Sequence, residues 1–225
     1  MKRPLFMALL ALALVALVGA GALAATIVNS KHDLSSTSTN GGIKSTNETQ
    51  ICIFCHTPHQ PSGATTKPLW NHTTTTSTFT MYSNTTIQGA VDPQPSGGSE
   101  LCLSCHDGSV AINSILNAST VGTPTLTDPR PTSHLTADNK LINSSALLDN
   151  NLSNDHPVSI TYDSTNDKGL RAPTGNNVVN GSITLPLFSN KVQCGSCHNV
   201  HDPSNTPFLR ASNDGSALCL TCHLK

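Results

Sequence analysis

The sequence predicts a chain that is mostly irregular, with short helical turns at four points, a few short strands, and a centre filled by something other than side chains. Three observations predict it. Large apolar residues are scarce. All eight cysteines fall in one repeated pattern. The stretches between them are rich in Asn, Ser, Thr, Gly and Pro, with no sustained periodicity.

The scarcity comes first. The 225 residues are 36% hydrophobic, much of it near the N-terminus, and aromatics are 4%: one Trp, two Tyr and five Phe. So few large apolar groups bury too little surface to offset the conformational entropy of folding. The chain must be disordered, cross-linked, or wrapped around a non-protein core.

The N-terminus explains where the apolar residues went. Met1-Lys2-Arg3 is a basic start, Leu5 to Leu17 is an apolar run, and Ala22-Leu23-Ala24 is a small-x-small cleavage signal. Together they read as a secretory signal peptide over 1–24. Gly19 and Gly21 favour cleavage over a retained anchor. The mature chain, 25–225, is then one exported domain of about 200 residues. No later apolar run approaches membrane-spanning length. Without Lys2 and Arg3 the balance is 10 basic to 13 acidic residues. There is no basic patch, which excludes nucleic acid as a partner.

The cysteines identify the core. They form Cys52-Ile53-Phe54-Cys55-His56, Cys102-Leu103-Ser104-Cys105-His106, Cys194-Gly195-Ser196-Cys197-His198 and Cys219-Leu220-Thr221-Cys222-His223. Each is a Cys-x-x-Cys-His unit, the attachment motif of c-type haem. Two thiols three positions apart reach the two vinyl groups of one macrocycle, and the adjacent His sits under the iron. Zinc is the nearest rival, since Cys194, Cys197, Cys219 and Cys222 have ribbon-like spacing. A zinc site of four cysteines needs no His after each pair, and a disulfide framework needs none either. A thioredoxin-like pair would be single and next to a strand–helix pattern. The prediction is four haems c, each a flat apolar surface replacing the missing core. The fold class is therefore a multihaem cytochrome c, a thin wrapper around a haem stack.

The ten histidines supply the axial ligands. His56, His106, His198 and His223 are proximal. His32, His59, His72, His134, His156 and His201 remain, and Met81 is the one methionine after the signal peptide. Bis-His ligation of every haem is numerically possible. It leaves no open coordination site and gives lower potentials than His/Met ligation. His59 and His201 each follow a proximal His by three residues, too close to turn back to the same iron, and are expected to ligate a neighbouring haem. His156, before Pro157 and an extended run, is a third distal candidate. His32 is the fourth, near the mature N-terminus and mobile enough to ligate its own subunit or another. His72 is the reserve, and His134 is expected at the surface. Four filled irons argue against an enzyme and for electron transfer.

An internal repeat organises the chain. C-x-x-C-H-x-x-H-x-P-S occurs at Cys52 to Ser62 and again at Cys194 to Ser204, and each copy is followed by a second motif. Two haem-pair modules result, 52–108 and 194–223, separated by an insert at 109–193. Within the insert, apolar runs predict a helix near 141–149 and strands near 158–162 and 183–188. Sequons occur at Asn47, Asn71, Asn84, Asn117, Asn143, Asn151 and Asn180.

The segments S-K-H-D-L-S, C-x-F-C-H-T-P-H, P-L-W-N-H, L-C-L-S-C-H-D-G, N-D-H-P-V-S and C-x-S-C-H-x-V-H are together similar to a family of exported multihaem cytochromes with doubled haem motifs. Haem number and mature size resemble its tetrahaem, filament-forming members. The resemblance implies an extracellular or cell-surface location, with the periplasm as alternative. It implies head-to-tail polymerisation, with one haem ligated in trans and His32 placed for that role. It also implies partner cytochromes as redox partners and extracellular electron acceptors. A monomeric periplasmic shuttle is the rival function, and a multihaem reductase the third.

Overall fold

Regular structure is sparse and short, and every helix longer than three residues includes a Cys-x-x-Cys pair. The computed structural model describes residues 26–59 and 69–224. The expected signal peptide and its start at 25 lie outside them, as do Pro61 and Ser62 of the first repeat.

Three helices occur among these residues: α1 (Gly97–His106), α2 (Cys194–Cys197) and α3 (Cys219–Cys222). The first motif forms a 3-10 turn, Cys52–Phe54. The single turns expected at the motifs are thus seen at three of them, and the second sits at the end of a longer helix. Six short strands pair as three antiparallel ribbons. β1 (Lys44–Ser45) pairs with β2 (Leu126–Thr127), β3 (Ile160–Thr161) with β6 (Lys191–Val192), and β4 (Asn177–Asn180) with β5 (Ile183–Pro186). The β4–β5 hairpin turns at Gly181, whose φ of +60° suits glycine.

The helix expected near 141–149 is absent. Asn143 and Asp149 both take positive φ, and the segment turns twice instead. Leu141 is buried, and its backbone carbonyl and the Leu147 side chain lie beside Gly108, just after motif 2. Its apolar residues serve separate contacts, so the run had no helical period to satisfy.

The apolar core is divided. Phe79, Leu103 and Leu152 form one cluster, flanked by Met81, Leu148 and Val158. Tyr162, Val178 and Leu187 form another, flanked by Leu170, Val192 and Cys222. Leu103 lies inside the second motif and Cys222 inside the fourth, so each cluster backs a haem motif. The insert at 109–193 supplies half of the first cluster and most of the second, and so is packed onto the modules rather than looped out.

Many buried groups are polar. Ser35, Asn71, His72, Ser99, Ser104, Ser159 and Thr221 are completely buried. Each needs a hydrogen bond, because an unpaired polar group in a dry interior costs about 1–3 kcal/mol. Asn71 shows how they are met: its amide donates to the carbonyls of Ile53 (2.7 Å) and Asn117 (3.0 Å), tying the first motif to the insert.

Candidate functional site

Each motif is built by one local device. The backbone N–H of His56, His198 and His223 donates to the carbonyl of the first cysteine of its own motif, at 2.7, 3.0 and 2.9 Å. This closes one helical turn, which brings both thiols to the same side. The residue before the second cysteine supports the turn. Ser104 donates its hydroxyl to the Glu100 carbonyl (3.0 Å), and Thr221 to the Ala217 carbonyl (2.9 Å). In motif 1 that position is Phe54, which is buried instead.

All eight cysteines are free thiols. They neighbour one another in sequence order. Cys55 lies close enough to Cys105 to raise its pKa, though burial is the larger cause. The Cys102 thiol hydrogen-bonds Cys194, which raises the first and lowers the second to about 7. Cys197 is pushed up to about 11 by burial and then by Cys222, Cys194 and Cys219.

The histidines pair across the chain. The rings of His32 and His106 have centroids 6.0 Å apart, at 77°. Those of His56 and His201 are 6.1 Å apart and nearly parallel, at 18°. Those of His156 and His223 are 6.4 Å apart, at 70°. Every pair joins one motif histidine to one outside the motifs. The unused nitrogens are held back. Nδ1 of His106 bonds the Ala146 carbonyl (2.7 Å), Nδ1 of His198 the Pro207 carbonyl (2.9 Å), and Nδ1 of His156 the Pro157 carbonyl (3.0 Å).

Burial holds the His32 and His106 imidazoles neutral. The pKa of His32 falls to about 4, first through burial and then through His106, His201 and His198 nearby. That of His106 is also lowered by burial.

The chain matches the model of the doubled CXXCH motif family over residues 187–225. The match supports a multihaem c-type cytochrome family. Such motifs indicate covalent binding of haem c and, with it, electron transfer. The matched segment holds motifs 3 and 4, and motifs 1 and 2 repeat the same pattern upstream. No curated protein matches the chain significantly.

The residues present fit haem c. An imidazole nitrogen binds a metal at about 2 Å, so two imidazoles across one ion have ring centres about 6 Å apart. All three histidine pairs meet that spacing. A ligating histidine also commonly gives its second N–H to a carbonyl, as His106, His198 and His156 are placed to do. Neutral imidazole is the ligating form. Free thiols in helical turns are the form that attachment consumes.

Several sequence expectations change. The segment around His32 is not a mobile tail. Asp33 accepts from Asn29 and Ser35, Asn40 donates to the Ser30 and Asp33 carbonyls, and Ser45 N–H bonds the Leu34 carbonyl. His32 is thereby held beside its own chain's His106.

His72, the reserve ligand, is fully buried with both ring nitrogens close to backbone carbonyls. Nδ1 faces the Thr73 carbonyl (2.8 Å), and Nε2 faces those of Ala111 (3.0 Å) and Ile112 (3.2 Å). Cys105 Sγ of motif 2 also lies 3.6 Å from Nε2, and a neutral imidazole can donate to only one side of this shell. His134 is half-buried rather than at the surface, with Nδ1 enclosed and without a partner. His59 is exposed.

Sequence reasoning missed the hydroxyls inside motifs 2 and 4, and it missed Gln193. A signal for Gln193 existed: Ile51, Leu101 and Leu218 precede the other motifs, and only the third follows a polar residue.

Proposed function

We propose that the protein is an exported tetrahaem electron-transfer protein whose haems are all bis-histidine ligated. The observation that carries the reading is the set of three histidine pairs at 6.0–6.4 Å. Cys52 and Cys55, Cys102 and Cys105, Cys194 and Cys197, and Cys219 and Cys222 would hold the four haems. His106 would share an iron with His32, His56 with His201, and His223 with His156. The internal repeat assigns the remaining pair: as His201 of the second module serves His56, His59 of the first serves His198.

When bound, each haem supplies a one-electron couple at its iron. The chain's own residues do the rest. Two imidazoles on each iron exclude a substrate, which favours an electron carrier over a reductase. The crossed pairing of His56 with His201 would hold haems of the two modules together. Burial keeps water from the His32 and His106 rings.

We place the protein outside the cytoplasm, on the signal-peptide pattern. Among the described residues no helix is long and apolar enough to cross a membrane. Assembly into a head-to-tail filament passing electrons between copies is the extended form of this reading. Leu69 and Leu116, exposed beside motif 1, and Val179 and Leu224, exposed beside motif 4, support it as apolar contact points. The monomeric shuttle is favoured by one observation, the use of His32 within its own chain.

Spectroscopy of the purified protein tests the ligation. Four haems by mass, low-spin iron in both redox states, and no binding of carbon monoxide are expected. A stoichiometric high-spin haem would return the reductase to consideration. Electron microscopy of the same sample separates filament from shuttle.

A further inference from the structure

The two haem-pair modules meet at a buried polar cluster whose centre is Gln193. Gln193 and its two main partners, Ser99 and Ser159, are completely or almost completely buried. The Gln193 side-chain carbonyl accepts from the Ser99 hydroxyl and from the Ser159 hydroxyl (3.1 Å). Its amide donates to Ser96 Oγ (3.4 Å). Ser99 Oγ also receives the backbone N–H of Cys194 (3.0 Å), and Ser159 Oγ receives that of Ser96 (2.9 Å). The cluster reaches the surface through Ser96, which donates to Asp92 (2.7 Å), itself bound by Lys191 (2.6 Å).

Each contact joins separate parts of the chain. Ser96 and Ser99 belong to the start of α1, which ends in motif 2. Gln193 and Cys194 open motif 3, and Ser159 comes from the insert. One side of the cluster carries Cys102 of motif 2 and the other Cys194 of motif 3. Gly97 suits the turn into α1, where φ is +55°, and lies against the Gln193 amide.

An apolar contact could hold the modules together but would slide. A primary amide with two fixed hydroxyl donors and one acceptor has a single satisfied orientation, so it fixes distance and angle together. We propose that Gln193 is a positioning residue: with Ser99 and Ser159 it sets the second haem against the third, and thereby the coupling between the two haem pairs. This rests on the tetrahaem reading above.

The test uses the mature, fully loaded protein and circular dichroism in the Soret band. Exciton coupling between haems falls with the cube of their separation and depends on their mutual angle, so it reads position without requiring turnover. Gln193→Leu keeps the volume and strands two buried hydroxyls. The expected result is four haems attached, low-spin spectra unchanged, and an altered Soret couplet at temperatures well below unfolding. Ser99→Ala removes one hydroxyl and little volume, and should alter the couplet in the same sense.

A residue that only stabilised the fold would lower the melting temperature and leave the couplet as it was. An unchanged couplet in Ser99→Ala, and in Gln193→Leu where it matures, overturns the positioning role. A wild-type protein without a Soret band would instead overturn the haem reading itself.

Discussion

His56 and His201 lie in different modules, yet their rings stack at 6.1 Å and 18°. One closes the turn of the first motif, and the other follows the third motif by three residues. The pair is the reason the two copies of the repeat cannot be separate beads. The histidine three residues past the third motif lies against the motif histidine of the other copy, so the two copies cross over each other.

Removing the non-motif partner should therefore leave the haem in place and open its iron. His201→Ala is expected to retain four attached haems by mass, since His201 forms no thioether. It should show one high-spin haem and bind one equivalent of carbon monoxide when reduced. An unchanged low-spin spectrum would mean that His201 is not the ligand facing His56.

His72 should behave in the opposite way. Its nitrogens face three backbone carbonyls, so His72→Phe strands buried acceptors rather than opening an iron. A loss of about 1–3 kcal/mol is expected for such unpaired groups. In a domain of this size that lowers the melting temperature by several degrees, about 2–4 °C per kcal/mol. The spectrum should stay fully low-spin, and a new high-spin signal would restore His72 as a ligand.

These two histidines show how far the sequence could be read. The four haem motifs were legible because attachment chemistry fixes residue type and spacing together. His32, His59, His156 and His201 were legible only as candidates. Spacing says which iron a nearby histidine cannot reach, but not which one it does reach. His72 had no distinguishing signal, because a histidine bonded to carbonyls from Ala111 and Ile112 depends on contacts some 40 residues away. The strands near 160 and 183 followed from β-branched runs. The helix near 141 did not form, because its apolar residues point to unrelated neighbours.

The acid limb of stability should depend on Asp128. Burial alone would raise its carboxyl pKa, but the Arg130 guanidinium and the backbone N–H groups of His134 and Arg130 outweigh burial and hold it at about 2. Its folded pKa is thus below its unfolded value of about 3.9. The stabilisation is fully present above pH 4, declines as pH falls toward 2, and is gone below that. Arg130 is partly in water (28% exposed), so screening limits the effect to about 1 kcal/mol. Asp128→Asn should match the wild type at pH 2 and be less stable at pH 5. A constant difference across that range would show that the carboxylate charge does not matter.

The sequons are unequal. Asn71 is completely buried and bonded through its amide, and the Asn180 amide donates to the Leu220 carbonyl (3.1 Å). Asn84, Asn143 and Asn151 are exposed. In a glycosylating host, mass mapping should find glycans at the exposed three and none at Asn71. A glycan on Asn71 would require that segment to be modified before it folds and to fold differently afterwards.

The last prediction separates ligation within a chain from ligation between chains. His32 sits 6.0 Å from its own chain's His106, in a segment tied down by Asp33, Asn40 and Ser45. If that geometry is the ligating one, disassembly costs no haem its ligand. Wild-type protein diluted or dispersed to single subunits should stay low-spin at all four irons, and His32→Ala should carry one high-spin haem at every concentration. If His32 instead reaches an adjoining subunit, the wild type should gain one high-spin haem as filaments dissociate, in step with particle length by electron microscopy. The concentration dependence decides between them. A heterologous contact that fails to close builds an open filament with or without a shared ligand. Filaments with concentration-independent spectra would thus mean that surface packing alone, through groups such as Leu116 and Leu224, joins the subunits.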